Sequence, residues 1–218
     1  MSEWWTYRPS SFLPFSPRTW FRLHELYNGE IWPLQLVALA LGAAILVLAM
    51  RGGTGSGRWI AAILAACWTF VAWAFHYRHY ATINWAASYF AVAFAIEALL
   101  LAWIGVVRGA LAFAPQTAVQ RAGVLLAAFA LLAEPAIGPL LGRSWSQTEV
   151  FGTAPDPTAV ATMGVLLAAD RLCWPLLVVP LLWCAVSGGF QWAMALPDAL
   201  VVPLLAATAL LLALLRRS

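Results

Sequence analysis

The chain has 218 residues, of which 63% are hydrophobic and only 10% charged. Soluble domains carry about 25% charged residues, because their outside faces water, so this composition excludes an ordinary soluble fold and suits a protein whose outside faces lipid. The net charge of +3 comes from arginine alone and is spread along the chain without a basic cluster, which excludes nucleic acid as a partner.

Residues 1–30 read as an aromatic interfacial arm. The opening Met1-Ser2-Glu3-Trp4-Trp5 lacks a basic stretch followed by an apolar one, so targeting is expected to fall to the first span. Ser16-Pro17 predicts a helix N-cap and first position, and Asn28-Gly29 its end. Between them Trp20, Leu23 and Tyr27 share one side and Arg18, Arg22 and Glu25 another, the pattern of a short helix lying in the headgroup region. Trp4, Trp5, Tyr7, Phe12 and Phe15 add interfacial anchors.

Residues 31–218 read as a transmembrane helical domain. Six apolar runs predict spans at about 31–50, 59–75, 85–107, 122–141, 172–186 and 196–215, since a straight helix needs about 20 residues to cross the hydrocarbon. The fifth run is short and carries Pro175 and Pro180. The apolar stretch 158–169 follows Pro155-Asp156-Pro157, where Asp156 suits an N-cap and Pro157 a first turn. It reads either as the first part of one long broken helix reaching Val186 or as a re-entrant element. In the six-span reading Arg8, Arg18, Arg22, Arg78, Arg143, Arg171, Arg216 and Arg217 fall on one side and Arg51, Arg58, Arg108 and Arg121 on the other, which places both termini in the cytoplasm. Cys67, Cys173 and Cys184 all fall in apolar runs and read as buried small hydrophobes rather than a disulfide framework.

The segments Tyr7-Arg8-Pro9-Ser10, Phe15-Ser16-Pro17-Arg18-Thr19, Ala81-Thr82-Ile83-Asn84-Trp85-Ala86-Ala87 and Phe151-Gly152-Thr153-Ala154-Pro155-Asp156-Pro157-Thr158 carry a resemblance to an uncharacterised family of small bacterial polytopic membrane proteins, known only as a domain of unknown function. The resemblance implies bacterial origin and an inner-membrane location. It implies no activity and transfers no functional residue.

Three constellations have chemical potential. Glu97 lies near the middle of the third span, where an ionisable group is costly and faces either a hydrogen-bonding partner or a water-filled path. Glu134-Pro135 lies inside the fourth run with Pro139 one turn on. The prolines free carbonyls beside a carboxyl, as in a broken-helix cation site; the alternative is that the span simply ends near Glu134. His76 and His79 follow the second span, with His24 on the same side. Three imidazoles on one surface could hold a metal ion; interfacial histidines beside lipid headgroups are the plainer reading. No cofactor is evident. No G-x-S-x-G, H-E-x-x-H, P-loop or G-x-G-x-x-G after a strand is present, so an enzyme ranks third among the readings. The first is a small ion or small-solute transporter or channel using Glu97 and Glu134. The second is a non-catalytic accessory or assembly subunit, in which small residues along every span allow close packing with membrane partners or a second copy.

Overall fold

A computed structural model describes residues 13–216; residues 1–12, with the anchors Trp4, Trp5, Tyr7 and Phe12, lie outside them. The described residues form helices and no strand: α1 (Pro17–Glu30), α2 (Leu34–Arg51), α3 (Ser56–Phe70), α4 (Ala87–Leu100), α5 (Ala118–Leu132), α6 (Glu134–Leu140), α7 (Pro155–Ala168), α8 (Val178–Ala193) and α9 (Val201–Leu215). Helix α3 continues as a π-helix over Val71–His79, and α4 as a second one over Leu101–Val107. The fold is an all-α polytopic bundle. Four helical runs are long and apolar enough to cross a membrane: Leu34–Arg51, Ser56–Thr82, Ala87–Val107 and Trp174–Ala193. The pair α5 and α6 makes a fifth, bent by 46° at Ala133, and α9 is a shorter apolar helix. All six apolar runs of the sequence are therefore helical. Their outward faces carry large apolar side chains such as Leu99, Leu125, Leu132, Leu182 and Leu204, a surface suited to lipid.

Helix α1 starts where the sequence expects, with the Ser16 hydroxyl accepting from the Thr19 N–H at 3.2 Å. Its apolar face meets protein. Trp20, Leu23, His24 and Tyr27 are buried, Trp20 and Tyr27 pack on Phe75, and the Tyr27 hydroxyl donates to the Thr153 carbonyl at 2.7 Å.

The stretch read as a broken or re-entrant element is a separate helix, α7, wholly enclosed by the others: every residue from Pro155 to Ala168 is buried. It runs antiparallel to α5, with Gly164 against Ala127 and Gly123, and Ala168 against Gly123. A Cβ on Gly164 would sit 2.5 Å from the Ala127 nitrogen and 2.7 Å from the Gly123 carbonyl oxygen, so only glycine permits this approach. At its start, Gly152 turns with φ 76° against Cys67 and Ala38, and Thr158 accepts from the Gly152 N–H and donates to the Ala154 carbonyl. Past its end, the Asp170 N–H donates to the Ala112 carbonyl at 2.7 Å, in the loop before α5. Helix α7 thus runs from the α1 end of the bundle to the far end.

That pass reverses the polarity of α8 and α9. Arg216, after α9, donates to the carbonyls of Leu167 and Asp170 at the far end. Helix α1 and Arg216 therefore lie at opposite ends of the bundle. A helix shielded from lipid by its neighbours need not be long enough to span it. At 14 residues α7 falls below the length rule for a lipid-exposed span.

Candidate functional site

At the α1 end, α1, α6, α8, α9 and the segment 143–156 line a half-open cavity of about 70 Å³, room for a few water molecules. Four carboxyl groups line it, those of Glu134, Glu149, Asp156 and Asp198, with Arg143, Thr148 and Gln191 among the other polar lining groups. Two of the carboxyls arrive by a local cause. Glu134 stands at the 46° bend, where Pro135 cannot continue the backbone ladder of α5. Asp156 lies in the first turn of α7 because Pro155, not Pro157, takes the first helical position. The expected N-cap role for Asp156 is thereby corrected: Ala154 is the N-cap, and it makes no side-chain cap.

Asp156 is the most heavily bonded side chain of the site. Its Oδ1 accepts from the Trp183 indole N–H at 2.7 Å, and its Oδ2 accepts from the Ser187 hydroxyl and the Gln191 amide, each at 2.7 Å. A carboxylate only accepts, and three donors from three turns of one face of α8 hold it in place. Across the cavity mouth Arg143 pairs with Asp198 through two nitrogens, and its guanidinium carbon sits 5.3 Å from the centre of the Phe21 ring, a cation–π distance.

The other lining groups are less satisfied. Oε2 of Glu134, Oε2 of Glu149 and the Thr148 hydroxyl are buried atoms without a hydrogen-bond partner. His24 approaches from α1: its Nδ1 lies 3.0 Å from the Trp20 carbonyl and its Nε2 3.3 Å from Glu149 Oε1. Burial pulls the His24 imidazole down, but the Glu149 carboxylate beside Nε2 and the Trp20 carbonyl at Nδ1 more than offset that, and the net shift is upward. The cavity is acid-rich, half-open and supplied with unpartnered acceptors. Chemically it can bind water, protons or a small cation.

The three histidines do not converge. His24 faces Glu149. His79 meets Glu30 at 2.9 Å and the Ala74 carbonyl at 2.7 Å, and this contact, chiefly its hydrogen bond, holds the Glu30 carboxyl below its usual value. His76 is fully buried among Phe75, Tyr80, Phe90, Phe94 and Trp183. Among the described residues no three His, Cys, Asp or Glu side chains are arranged to hold a metal ion. The expected His24, His76 and His79 set is separated because the π-helical turn sends His76 inward and His79 outward. Glu97 is fully buried, with neither carboxyl oxygen bonded, and it does not line the cavity. The three cysteines are free.

Sequence reasoning found Glu134 and missed the rest of the site. Glu149, Asp156, Arg143 and Asp198 lie in or beside loops, where a charge is unremarkable. A usable signal was present for Asp156 alone, since Pro-Asp-Pro before an apolar run carries the carboxyl into the first turn of the next helix.

Fold and site together define a polytopic α-helical protein with a polar cavity at one end of an apolar bundle. The chain belongs to a family of unknown function, DUF6064, whose model matches residues 18–218, nearly the whole chain and in keeping with the resemblance seen in its motifs. No curated protein matches. No solved structure matches either.

Proposed function

We propose that this protein is an integral protein of the bacterial inner membrane that moves a small cation, with the acid-lined cavity as its point of access. One observation carries the reading: Glu134, Glu149 and Asp156 line one half-open cavity in which a buried oxygen of Glu134 and one of Glu149 have no hydrogen-bond partner. Carboxyls in an apolar bundle are expensive, and a fold that needed only stability would have fewer of them. The bent α5–α6 pair beside Glu134 supports the same reading, since broken helices set carboxyls and freed carbonyls around ions.

The helix order supports an orientation opposite to the one the six-span reading gives. Among the described residues Arg51, Arg58, Arg108, Arg121, Arg171 and Arg216 cluster at the far end, beside the one acidic Asp170. Arg18, Arg22, Arg78 and Arg143 share the α1 end with Glu25, Glu30, Glu149 and Asp198. Six arginines against four favour the far end as cytoplasmic. The acidic cavity then faces the periplasm and the C-terminal end the cytoplasm.

The test is cation uptake by proteoliposomes containing the purified protein, with tracer sodium, potassium and protons compared. The proposal expects uptake in the parent and a drop of about tenfold or more in Glu134→Gln with normal folding. If the parent moves no cation and co-purifies in fixed proportion with a larger membrane complex, the accessory-subunit reading replaces this one.

A further inference from the structure

Beneath the cavity the bundle holds a second set of buried polar groups, and they continue the line that Asp156 begins. Trp183 donates its indole N–H to Asp156, and the same ring packs 4.8 Å from the ring of His76. His76 packs 4.4 Å from the Phe94 ring, and Glu97 lies one helical turn beyond Phe94 on α4, again on its buried face. Contact by contact the line is therefore cavity, Asp156, Trp183, His76 and Phe94, with Glu97 one turn further along α4 towards the far end.

His76 and Glu97 are both fully buried, and all four of their polar side-chain atoms lack a hydrogen-bond partner. A buried polar group left without a partner is costly, so two such residues along one line of a membrane bundle call for a use. Their surroundings decide which ion could use them. The rings of Phe75, Tyr80, Phe90, Phe94 and Trp183 surround His76, and no described oxygen hydrogen-bonds its ring. A sodium or potassium ion must exchange its water shell for several carboxyl or carbonyl oxygens. A proton needs one nitrogen or one oxygen at a time. His76 also sits in the π-helix Val71–His79; π-turns recur at functional sites in helices.

We infer that the transported ion is the proton, and that its path runs from the cavity past Asp156 to His76 and then Glu97, with Trp183 as the positioning residue between Asp156 and His76. This inference rests on the transport reading. The chemistry balances without a co-reactant. One imidazole nitrogen of His76 takes a proton from the cavity side while the other gives one up. The Glu97 carboxylate gains that proton as an O–H and loses it towards the far end. Only N–H and O–H bonds form and break.

The test uses proteoliposomes loaded with a pH-sensitive dye, with an imposed membrane potential, run beside tracer sodium and potassium uptake. The parent should acidify its lumen without moving either alkali ion. Glu97→Gln and His76→Gln should each fold, by melting and gel filtration, and slow proton uptake about tenfold or more. Alkali-ion uptake without proton uptake overturns this inference and leaves the transport reading standing; no cation flux at all overturns the transport reading itself. Unchanged proton uptake in both variants overturns the path. If either variant fails to fold, nitrogen-15 spectra of the parent decide: His76 ring protons exchanging with water during turnover support the path, and a ring that never exchanges overturns it.

Discussion

The Nε2 atom of His24, on α1, lies 3.3 Å from Oε1 of Glu149, in the segment leading to α7, with the His24 side chain 2% and the Glu149 side chain 20% exposed. The contact ties α1 to the rim of the cavity. Because the folded His24 imidazole titrates above its ordinary value of 6.5, docking of α1 favours the protonated ring. The stabilisation is complete below that value and is lost as pH rises through the folded one. Hydrogen exchange of the α1 amides, corrected for base catalysis, should show protection falling about fivefold on the alkaline side, or about 1 kcal/mol. His24→Gln should remove that pH dependence. An identical profile in the variant would mean that the pair does not hold α1.

Asp156 should anchor α7 to α8. Asp156→Ala leaves the Trp183 indole, the Ser187 hydroxyl and the Gln191 amide without their shared acceptor, at a cost of about 3 kcal/mol. Asp156→Asn keeps one acceptor oxygen and should lose about half as much. Thermal unfolding in detergent reads both. A melting profile for the alanine variant equal to the parent's would show that these bonds do not clamp the helices.

Gly164→Val should destabilise the bundle by about 1–3 kcal/mol, because the added Cβ meets backbone of α5, which cannot move aside. Gly189 on α8 has nothing within 4 Å of its Cβ position, and Gly189→Ala should be neutral or slightly stabilising. Comparable melting shifts in the two variants would count against the tight α5–α7 contact.

The course of α7 predicts the topology. Reporter fusions after Ser218 and within 52–55 should report the same side of the membrane, and a fusion within 143–147 the opposite side. A C-terminal reporter on the side of 143–147 would mean that α7 does not pass through the bundle.

The sequence by itself determined the helical class, the six apolar runs and the start of α1, because these depend on local chemistry. Lipid demands apolar outward faces run by run, and Ser16-Pro17 caps a helix whatever surrounds it. It also marked Glu97 and Glu134, since a carboxyl within an apolar run is conspicuous. Tertiary structure alone decided the direction of α7, the cavity and the aromatic enclosure of His76. Each of these joins residues far apart in the chain: Tyr27 with Thr153, Asp156 with Gln191, His76 with Trp183. Hydropathy reads a segment as though lipid surrounded it. Helix α7 is surrounded by protein, so neither its length nor its buried Asp156 obeys the rule by which spans are recognised, and only the packing of the other helices around it could reveal that it passes through.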